Sequence, residues 1–414
     1  MKYMNIAVMG FGTVGSGVVE LFEKNRKSII SKSTQDDLVL KYILDIRDFS
    51  SNPYAERFTK SFDDILNDKS VGIVVETMGG LHPAFEYVSA CLKAGKSVVS
   101  SNKELVSTFG YELLTVANEN NVNFLFEASV GGGIPIIRPI SQCLAANEID
   151  EIAGILNGTT NFILTMMIDK GMTFDDALAL AQANGYAERD PSADVDGHDA
   201  CRKVCILASL CFGKHVYPQW THTEGIRSIT AEDVEYAKSW GGVIKLIGRA
   251  KRMPDGKIST LVSPAFVHAH SQLAGVDDVF NAILVRGDAI GDVVFYGRGA
   301  GKLPTASAVV ADVIDCAKHT ARKKLFGWGA PEKGYVVDYL ELPASLYVRC
   351  DMPELVTALA AIKEAFPGCT VLKRAGAPGS ELAFITETDT EGVLRKKLAE
   401  LPVNIVSVIR VTDY

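Results

Sequence analysis

A glycine-rich turn set between a short apolar run and a helical pattern constrains this chain more than any other feature. Asn5–Met9 is the apolar run, GFGTVG occupies 10–15, and Val14, Val18, Leu21 and Phe22 recur at helical spacing over Val14–Lys24. Gly10, Gly12 and Gly15 match G-x-G-x-x-G in the strand–turn–helix setting that gives the pattern a physical meaning. Gly10 permits the tight turn, Gly12 lets backbone N–H groups approach a pyrophosphate, and Gly15 lets helix and strand pack closely. The helix N-terminus favours the anion. Gly10, Phe11, Gly12, Thr13, Val14 and Gly15 are therefore a candidate dinucleotide cradle, with a ligand-free glycine turn as the bland alternative.

A polar stretch at 25–37 follows, and the chain then alternates. Strands are predicted at Leu38–Leu44, Gly72–Glu76, Ser97–Ser100 and Asn123–Glu127, and helices at Pro83–Ala94 and Lys103–Glu119. This alternation predicts an α/β fold with a doubly wound parallel sheet of the Rossmann type. Beyond Glu127 the pattern becomes α+β, with helices at Ile136–Ala146, Thr160–Asp169, 174–184 and 198–212. Strands are expected there at Glu151–Leu156, 243–250, 258–264 and 281–286. FYGRGAGKLPTA at 295–306 is a second glycine-rich turn, opening a helix at 305–319, and the basic run at 319–327 reads as a solvated helix end or linker. The tail is patterned βαββαβ: strands at Ser345–Cys350, Thr370–Lys373, Glu381–Thr386 and Val403–Val411, and helices at Pro353–Ala365 and Glu391–Glu400. That order is the ferredoxin-like arrangement.

Composition narrows the classes. At about 150 residues per domain, 414 residues suggest two or three domains. With 42 basic and 50 acidic residues the net charge is −8, which argues against nucleic-acid backbone binding. Nothing approaches the roughly 18 uninterrupted apolar residues of a membrane span. The opening MKYMNIAVMGFG has no signal-peptide pattern, so a cytoplasmic protein is expected. The eight cysteines form no CxxC pair and the seven histidines no HxxxH pattern, which favours reduced core thiols over zinc.

Several residues are candidates for chemistry. Asp45, ending the second predicted strand, could accept from a ribose 2′-OH, and Arg47 could instead meet a 2′-phosphate. Lys103 follows a strand end, where ligands of open α/β sheets bind. Residues 185–203 hold five carboxylates, Glu188, Asp190, Asp194, Asp196 and Asp199, and lead into a helix that is apolar almost all round. On it Asp199 and Lys203 are i,i+4 and share a face. A lysine on a buried helix, paired with a carboxylate, is suited to acid–base work; a structural Asp–Lys pair gives the same spacing. Glu127, followed by Val130-Gly131-Gly132-Gly133-Ile134, joins one charge to a loop of carbonyls and suits a monovalent cation or a plain hinge.

Six stretches in this order, GFGTVGSGVV, VSSNKEL, FEASVGGGIPI, GILNGTTNFIL, GYAERDPSADVDGHDACRKV and YGRGAGKLPTA, resemble homoserine dehydrogenase over about 5 to 320. The resemblance implies an NAD(P)-dependent oxidoreductase that reversibly reduces L-aspartate 4-semialdehyde to L-homoserine, in threonine and methionine biosynthesis. It implies Lys203 as general acid/base with Lys103, and Glu188, Asp199, Asp194, Thr159 and Tyr186 at the substrate. Met78, Lys103, Gly185 and Gly301 would join the glycine loop, Asp45 and Arg47 at the cofactor, with a lean to NADP(H) over NAD(H). Glu127 with the carbonyls of Val130, Gly132 and Ile134 matches the family's sodium site.

The implied organisation is a nucleotide-binding domain at 1–135 rejoined by about 300–320, and a substrate-binding and dimerisation domain at 136–299. A linker at 321–343 and an ACT-like regulatory domain at 344–414 follow. A homodimer or homotetramer is expected, with threonine as an effector at the tail and no nucleic-acid or membrane partner. The opening turn DMPEL carries Glu354 where such modules usually have glycine. The tail has its own apolar stripe at Leu355, Leu359 and Ile362 and is expected to be separable from the chemistry.

Overall fold

The computed structural model describes residues 3–320, 324–351 and 355–414. It divides into two compact units: one of residues 1–148, 205–218 and 297–332, the other of 149–204, 219–296 and 333–414.

The first unit is built on six parallel strands: β1 (Tyr3–Met9), β2 (Asp37–Leu44), β3 (Phe58–Thr59), β4 (Val71–Glu76), β5 (Ser97–Ser100) and β6 (Phe124–Leu125). Their spatial order, β3-β2-β1-β4-β5-β6, is the doubly wound order with its switch point beside β1. Helices α1 (Thr13–Lys32), α2 (Phe62–Leu66), α3 (Ala84–Lys93) and α4 (Lys103–Glu119) connect them. Val8, Val75 and Val99 of the sheet share a core with Val18, Val19 and Phe22 of α1. A helix from far along the chain, Lys302–Lys318, adds Val309 and Val313 to this core. It approaches so closely that a Cβ on Gly17 would lie 2.8 Å from the Lys302 carbonyl oxygen.

In the second unit β7 (Ile149–Ile155) precedes α5 (Gly158–Lys170), α6 (Phe174–Ala183), α7 (Ser192–Val195) and α8 (His198–Phe212). Then come β8 (His222–Thr223), α9 (Ala231–Trp240), β9 (Gly242–Arg252), β10 (Ile258–His268), β11 (Phe280–Gly287) and β12 (Gly291–Arg298), while the Lys302–Lys318 helix, α10, belongs to the first unit. The tail supplies β13 (Pro343–Asp351), α11 (Leu355–Ala365), β14 (Thr370–Leu372), β15 (Glu381–Ile385), β16 (Asp389–Thr390), α12 (Glu391–Ala399) and β17 (Asn404–Thr412). One mixed sheet runs β12-β11-β7-β9-β10-β17-β13-β15-β14.

The tail's strand order, β17-β13-β15-β14, with its own core of Leu346, Val348, Ile362, Phe366, Phe384 and Leu394, is that of a split βαβ unit. Its edge is not free. β17 joins β10 in parallel, pairing Ala265 with Arg410, Phe266 with Val411 and Val267 with Thr412. Arg410, 4% exposed, bonds both Glu391 and Glu224. Buried Asp233 of α9 accepts from Tyr347 Oη (3.0 Å) and Arg349 Nε (2.9 Å). These bonds run against the expectation of a separable tail. The expected apolar stripe includes Leu359 and Ile362 in the tail core, while the Leu355 side chain and Glu354 lie outside the described residues.

Other differences have local causes. The stretch at 25–37 is not all loop: α1 runs on to Lys32 because Ile29 returns to the core and the basic residues are good helix formers. The helix expected over Ile136–Ala146 shrinks to a π-helical turn at Pro139–Cys143, with Pro139 in its first turn, where a missing N–H breaks no intrahelical bond. The glycine-rich stretch before α10 is strand β12 up to Arg298. Helix α9 begins at a reciprocal capping box between Thr230 and Asp233, a signal carried by the sequence TAED. The described part of the expected linker is held by backbone bridges, Gly329 beside Lys214 and Val336 beside Ile258. No disulfide joins the cysteines, and among the described residues no helix is long and apolar enough to cross a membrane.

Two predictions follow from these bonds. A chain ending at Leu342 strips the edge of β10 at Ala265–Val267 and leaves the Asp233 carboxylate without Tyr347 and Arg349. Expected is aggregated material on size exclusion, where the full chain elutes as a discrete species. In the first unit, buried His215 accepts at Nδ1 from Trp328 Nε1 (3.1 Å), and burial pushes its imidazole down to about 4. The unfolded imidazole takes a proton near pH 6.5, so stability present above that pH is lost as pH falls toward 4. Roughly 2 kcal/mol should disappear between pH 7 and 5. Urea midpoints across this range should flatten correspondingly in His215→Asn.

Candidate functional site

In the first unit the glycine turn leaves β1 at its carboxyl end. Gly10 has φ +95°, and a Cβ there would lie 2.9 Å from the Thr77 carbonyl carbon. A Cβ on Gly15 would lie 1.9 Å from the Gly10 carbonyl oxygen, whereas one on Gly12 would meet nothing within 4 Å. Two glycines are thus demanded by packing, and the middle one faces open space. No side chain caps α1, so the N–H groups of its first turn at Thr13 and Val14 suit an anion.

Asp45 and Arg47, read from the sequence as rivals, form one unit. Asp45 Oδ2 accepts from the Phe11 N–H (2.8 Å), and Arg47 closes a two-pronged bond on Asp45 through Nε (3.0 Å) and Nη2 (2.8 Å). The guanidinium holds the carboxyl well below the usual carboxylate range, helped by backbone N–H groups of Arg47 and Phe11. The Asp45 side chain is 7% exposed and that of Arg47 56%. The Arg47 guanidinium also lies over the Phe49 ring, 5.1 Å from its centroid.

Sequence reading missed Glu76 at the end of β4, whose place at the close of an apolar run was its only signal. Fully buried, it accepts from Met78 N (2.8 Å), Gly79 N (3.3 Å) and Ser100 Oγ (2.6 Å), and burial raises its pKa. It thereby fixes the loop carrying Met78 against the end of β5. Ser100 Oγ in turn accepts from Asn102 N–H, and Asn102 caps α4, whose first residue is Lys103.

Glu127 does not present a bare charge to the glycine loop. Its carboxylate accepts the N–H groups of Ile136 (2.6 Å), Ile137 (2.8 Å) and Arg138 (2.9 Å). Its own N–H donates to Asp312, which also pairs with Arg138. Among the described residues the carbonyls of Val130, Gly132 and Ile134, all on buried residues, accept no hydrogen bond. The loop packs on the second glycine turn: a Cβ on Gly132 would lie 2.3 Å from the Gly299 carbonyl oxygen. Gly301, with φ +123°, is the residue before α10.

In the second unit Lys203 is 7% exposed. Its Nζ donates to Asp199 Oδ2 (2.6 Å) and to the Leu156 carbonyl (2.7 Å) at the end of β7. Asn157, not singled out by sequence reading although an asparagine before a helix is a capping signal, sits at the centre. Its Nδ2 donates to Asp194 Oδ1 (2.6 Å) and Asp199 Oδ2 (2.8 Å), and its Oδ1 accepts from Thr160 N–H (2.8 Å). Lys203, Asp199 and Asp194 are thus brought together. Thr159 Oγ1 donates to the Tyr186 carbonyl (2.7 Å), tying the Gly185–Tyr186 turn to the start of α5. Glu188 is exposed, and its main-chain carbonyl accepts from Gln182 Nε2. Asp190 accepts from Ser192 as turn chemistry and Asp196 pairs with Arg227, so neither joins the lysine cluster.

A buried ammonium held by a carboxylate and a carbonyl can exchange a proton with a hydroxyl or carbonyl oxygen, and a glycine cradle of the first unit's kind can hold a pyrophosphate. The family model described as "Homoserine dehydrogenase" matches residues 135–314, and that of the homoserine dehydrogenase NAD binding domain matches 10–127. A Synechocystis homoserine dehydrogenase is 45% identical over 316 residues, covering 75% of this chain and 73% of the relative. A crystal structure of a Thiobacillus denitrificans homoserine dehydrogenase superposes with TM-score 0.89 at 34% identity, over 100% of this chain and 99% of that one. A hyperthermophilic archaeal homoserine dehydrogenase in complex with NADPH matches with TM-score 0.64 at 29% identity, over 76% of this chain and 97% of that one. The chain belongs to the homoserine dehydrogenase family, NAD(P)-dependent oxidoreductases of amino-acid biosynthesis.

Proposed function

We propose that this chain interconverts L-homoserine and L-aspartate 4-semialdehyde with Lys203 as the general acid/base. The observation that carries the reading is the buried Lys203–Asp199 pair, 2.6 Å apart, at the end of β7. In the oxidative direction Lys203 takes the hydroxyl proton; in the reductive direction it returns a proton to the carbonyl oxygen and stabilises negative charge there. The nicotinamide, when bound, takes up or supplies the hydride. Asp199 keeps the lysine oriented and balances its charge. Lys103, the first residue of α4, is assigned as a second lysine of the reaction by its match to the family's VSSNKEL stretch.

The substrate's ammonium is assigned to Glu188, exposed and, among the described residues, with no side-chain hydrogen bond, and to the Asp194 carboxylate. Thr159 and Tyr186, at the start of α5 and the turn bonded to it, are placed at its carboxylate, because first-turn N–H groups favour an anion. Removing Lys203 should therefore act on chemistry. In Lys203→Ala we expect kcat for homoserine oxidation to fall by about two to four orders of magnitude. NADP(H) affinity, read by fluorescence titration, should stay near wild type. Near-normal kcat would sink the assignment.

The lean to NADP(H) is supported by the Asp45–Arg47 pair. Both Asp45 oxygens are engaged by Phe11 and Arg47, which leaves the half-exposed guanidinium as the group facing solvent. A 2′-phosphate would meet that cation. Arg47→Ala should erode the NADP/NAD ratio of kcat/KM by roughly 10- to 100-fold, the equivalent of one charge-assisted bond. Asp45→Ala should weaken both cofactors, since it also releases Phe11.

Sodium is assigned to the buried carbonyls of Val130, Gly132 and Ile134, with Glu127 contributing its main-chain carbonyl because its carboxylate serves residues 136–138. Hard oxygen donors with one neighbouring charge suit a monovalent cation. The tail is read as an ACT-like module on its strand order, with an amino acid such as threonine as candidate effector, and the enzyme as a homodimer or homotetramer.

A further inference from the structure

The Lys203–Asp199 pair has a neighbour that the reaction as proposed leaves without a role. Asn157 is 5% exposed, and its side chain makes bonds at both ends. The amide nitrogen has two protons and two acceptors, Asp194 Oδ1 and Asp199 Oδ2, one on each side. The amide oxygen accepts from Thr160 N–H (2.8 Å) and from Thr160 Oγ1 (3.0 Å), which anchors the side chain to the first turn of α5. Asp199 Oδ2 is the same oxygen that accepts from Lys203 Nζ. A single side chain therefore links α7, the first turn of α8 and the start of α5 around the lysine.

Neither of the other common capping residues, aspartate or serine, makes the same set of bonds here. Two carboxylate oxygens lie within hydrogen-bond reach of one nitrogen, so they need donors between them; unscreened, such a pair repels and one member holds its proton. An aspartate at 157 would cap α5 equally well but would present a third carboxylate and no donor. A serine would also cap α5, yet its single hydroxyl proton cannot serve two carboxylates.

We propose that Asn157 is a positioning residue for the acid–base step, its amide holding Asp194 and Asp199 together and so fixing the carboxylate that orients Lys203. This rests on Lys203 acting on homoserine. Asn157 itself need not touch the substrate.

Asn157→Ser and Asn157→Asp test it, because each keeps a good helix cap and removes the bridge. Homoserine oxidation is followed by cofactor reduction across pH in wild type and both variants, with melting temperatures measured alongside. Expected is a fall in kcat of about 10- to 100-fold in both, the scale of a misplaced catalytic group. The KM for the nicotinamide cofactor should stay within about two-fold of wild type, since Asn157 has no assigned part in holding it. In Asn157→Asp the limb on which kcat rises with pH should also move up by about one pH unit, as added negative charge holds the proton on the lysine. Wild-type-like kcat in both variants overturns the proposal, as does a loss with an unmoved pH limb that simply tracks the melting temperature. A wild type that does not oxidise homoserine overturns the proposed function instead, which the wild-type arm reveals by itself.

Discussion

An ammonium group taken out of water must be surrounded by acceptors, and in the second unit Lys203 sets that demand. Desolvating an ion in a protein costs several kcal/mol, which a single carboxylate rarely offsets unless hydrogen bonds satisfy the rest. Here the acceptors come from places far apart in sequence. The Leu156 carbonyl comes from the last turn of chain before α5, Asp199 from one helical turn earlier on α8, and the Asp199 carboxylate is itself steadied by Asn157. The end of β7, the cap of α5 and the start of α8 must meet at one point for the lysine to be buried at all. Their convergence is a packing condition of the unit.

Much of this was legible beforehand, and what was not has physical reasons. The glycine turn could be read because each glycine answers a separate steric demand, and the Asp199–Lys203 pair because i,i+4 spacing fixes a shared helix face. Asn157 escaped because its role depends on two carboxylates placed by tertiary structure, which no local period encodes. Asp45 and Arg47 were read as alternatives because spacing gives no sign that they bond each other. Glu127 looked like a free charge because the three N–H groups it accepts from, at 136–138, lie beyond the glycine loop. The tail's βαββαβ pattern was plain, but no alternation of apolar residues in β17 says which strand of another part it will join.

In the first unit three acidic side chains, those of Asp45, Glu76 and Glu127, are turned inward. Asp45 serves the Phe11 N–H and Arg47, Glu76 the Met78 and Gly79 N–H groups, and Glu127 the chain at 136–138. Each carboxylate thus shapes a loop. With Asp45 committed, the glycine turn offers an anion the backbone N–H groups at the head of α1, and the guanidinium of Arg47 lies half-exposed beside it. Negative charge beside a phosphate would repel it, so the inward aim of Asp45 removes an obstacle and supports a cation in one arrangement.

The seam between β10 and β17 also bears on how the protein comes into being. β17 ends two residues before the last residue of the chain, yet it lies inside the long sheet with β10 on one side and β13 on the other. During synthesis, β7, β9 and β10 leave the ribosome well before their partner exists. The apolar edge at Ala265, Phe266 and Val267 has to wait, unpaired, while about 140 further residues are made. Contacts this far apart in sequence form slowly, and an open strand edge invites the wrong partner. Completion of the sheet therefore has to await β17, and a chain released before β17 is made carries an adhesive edge on β10.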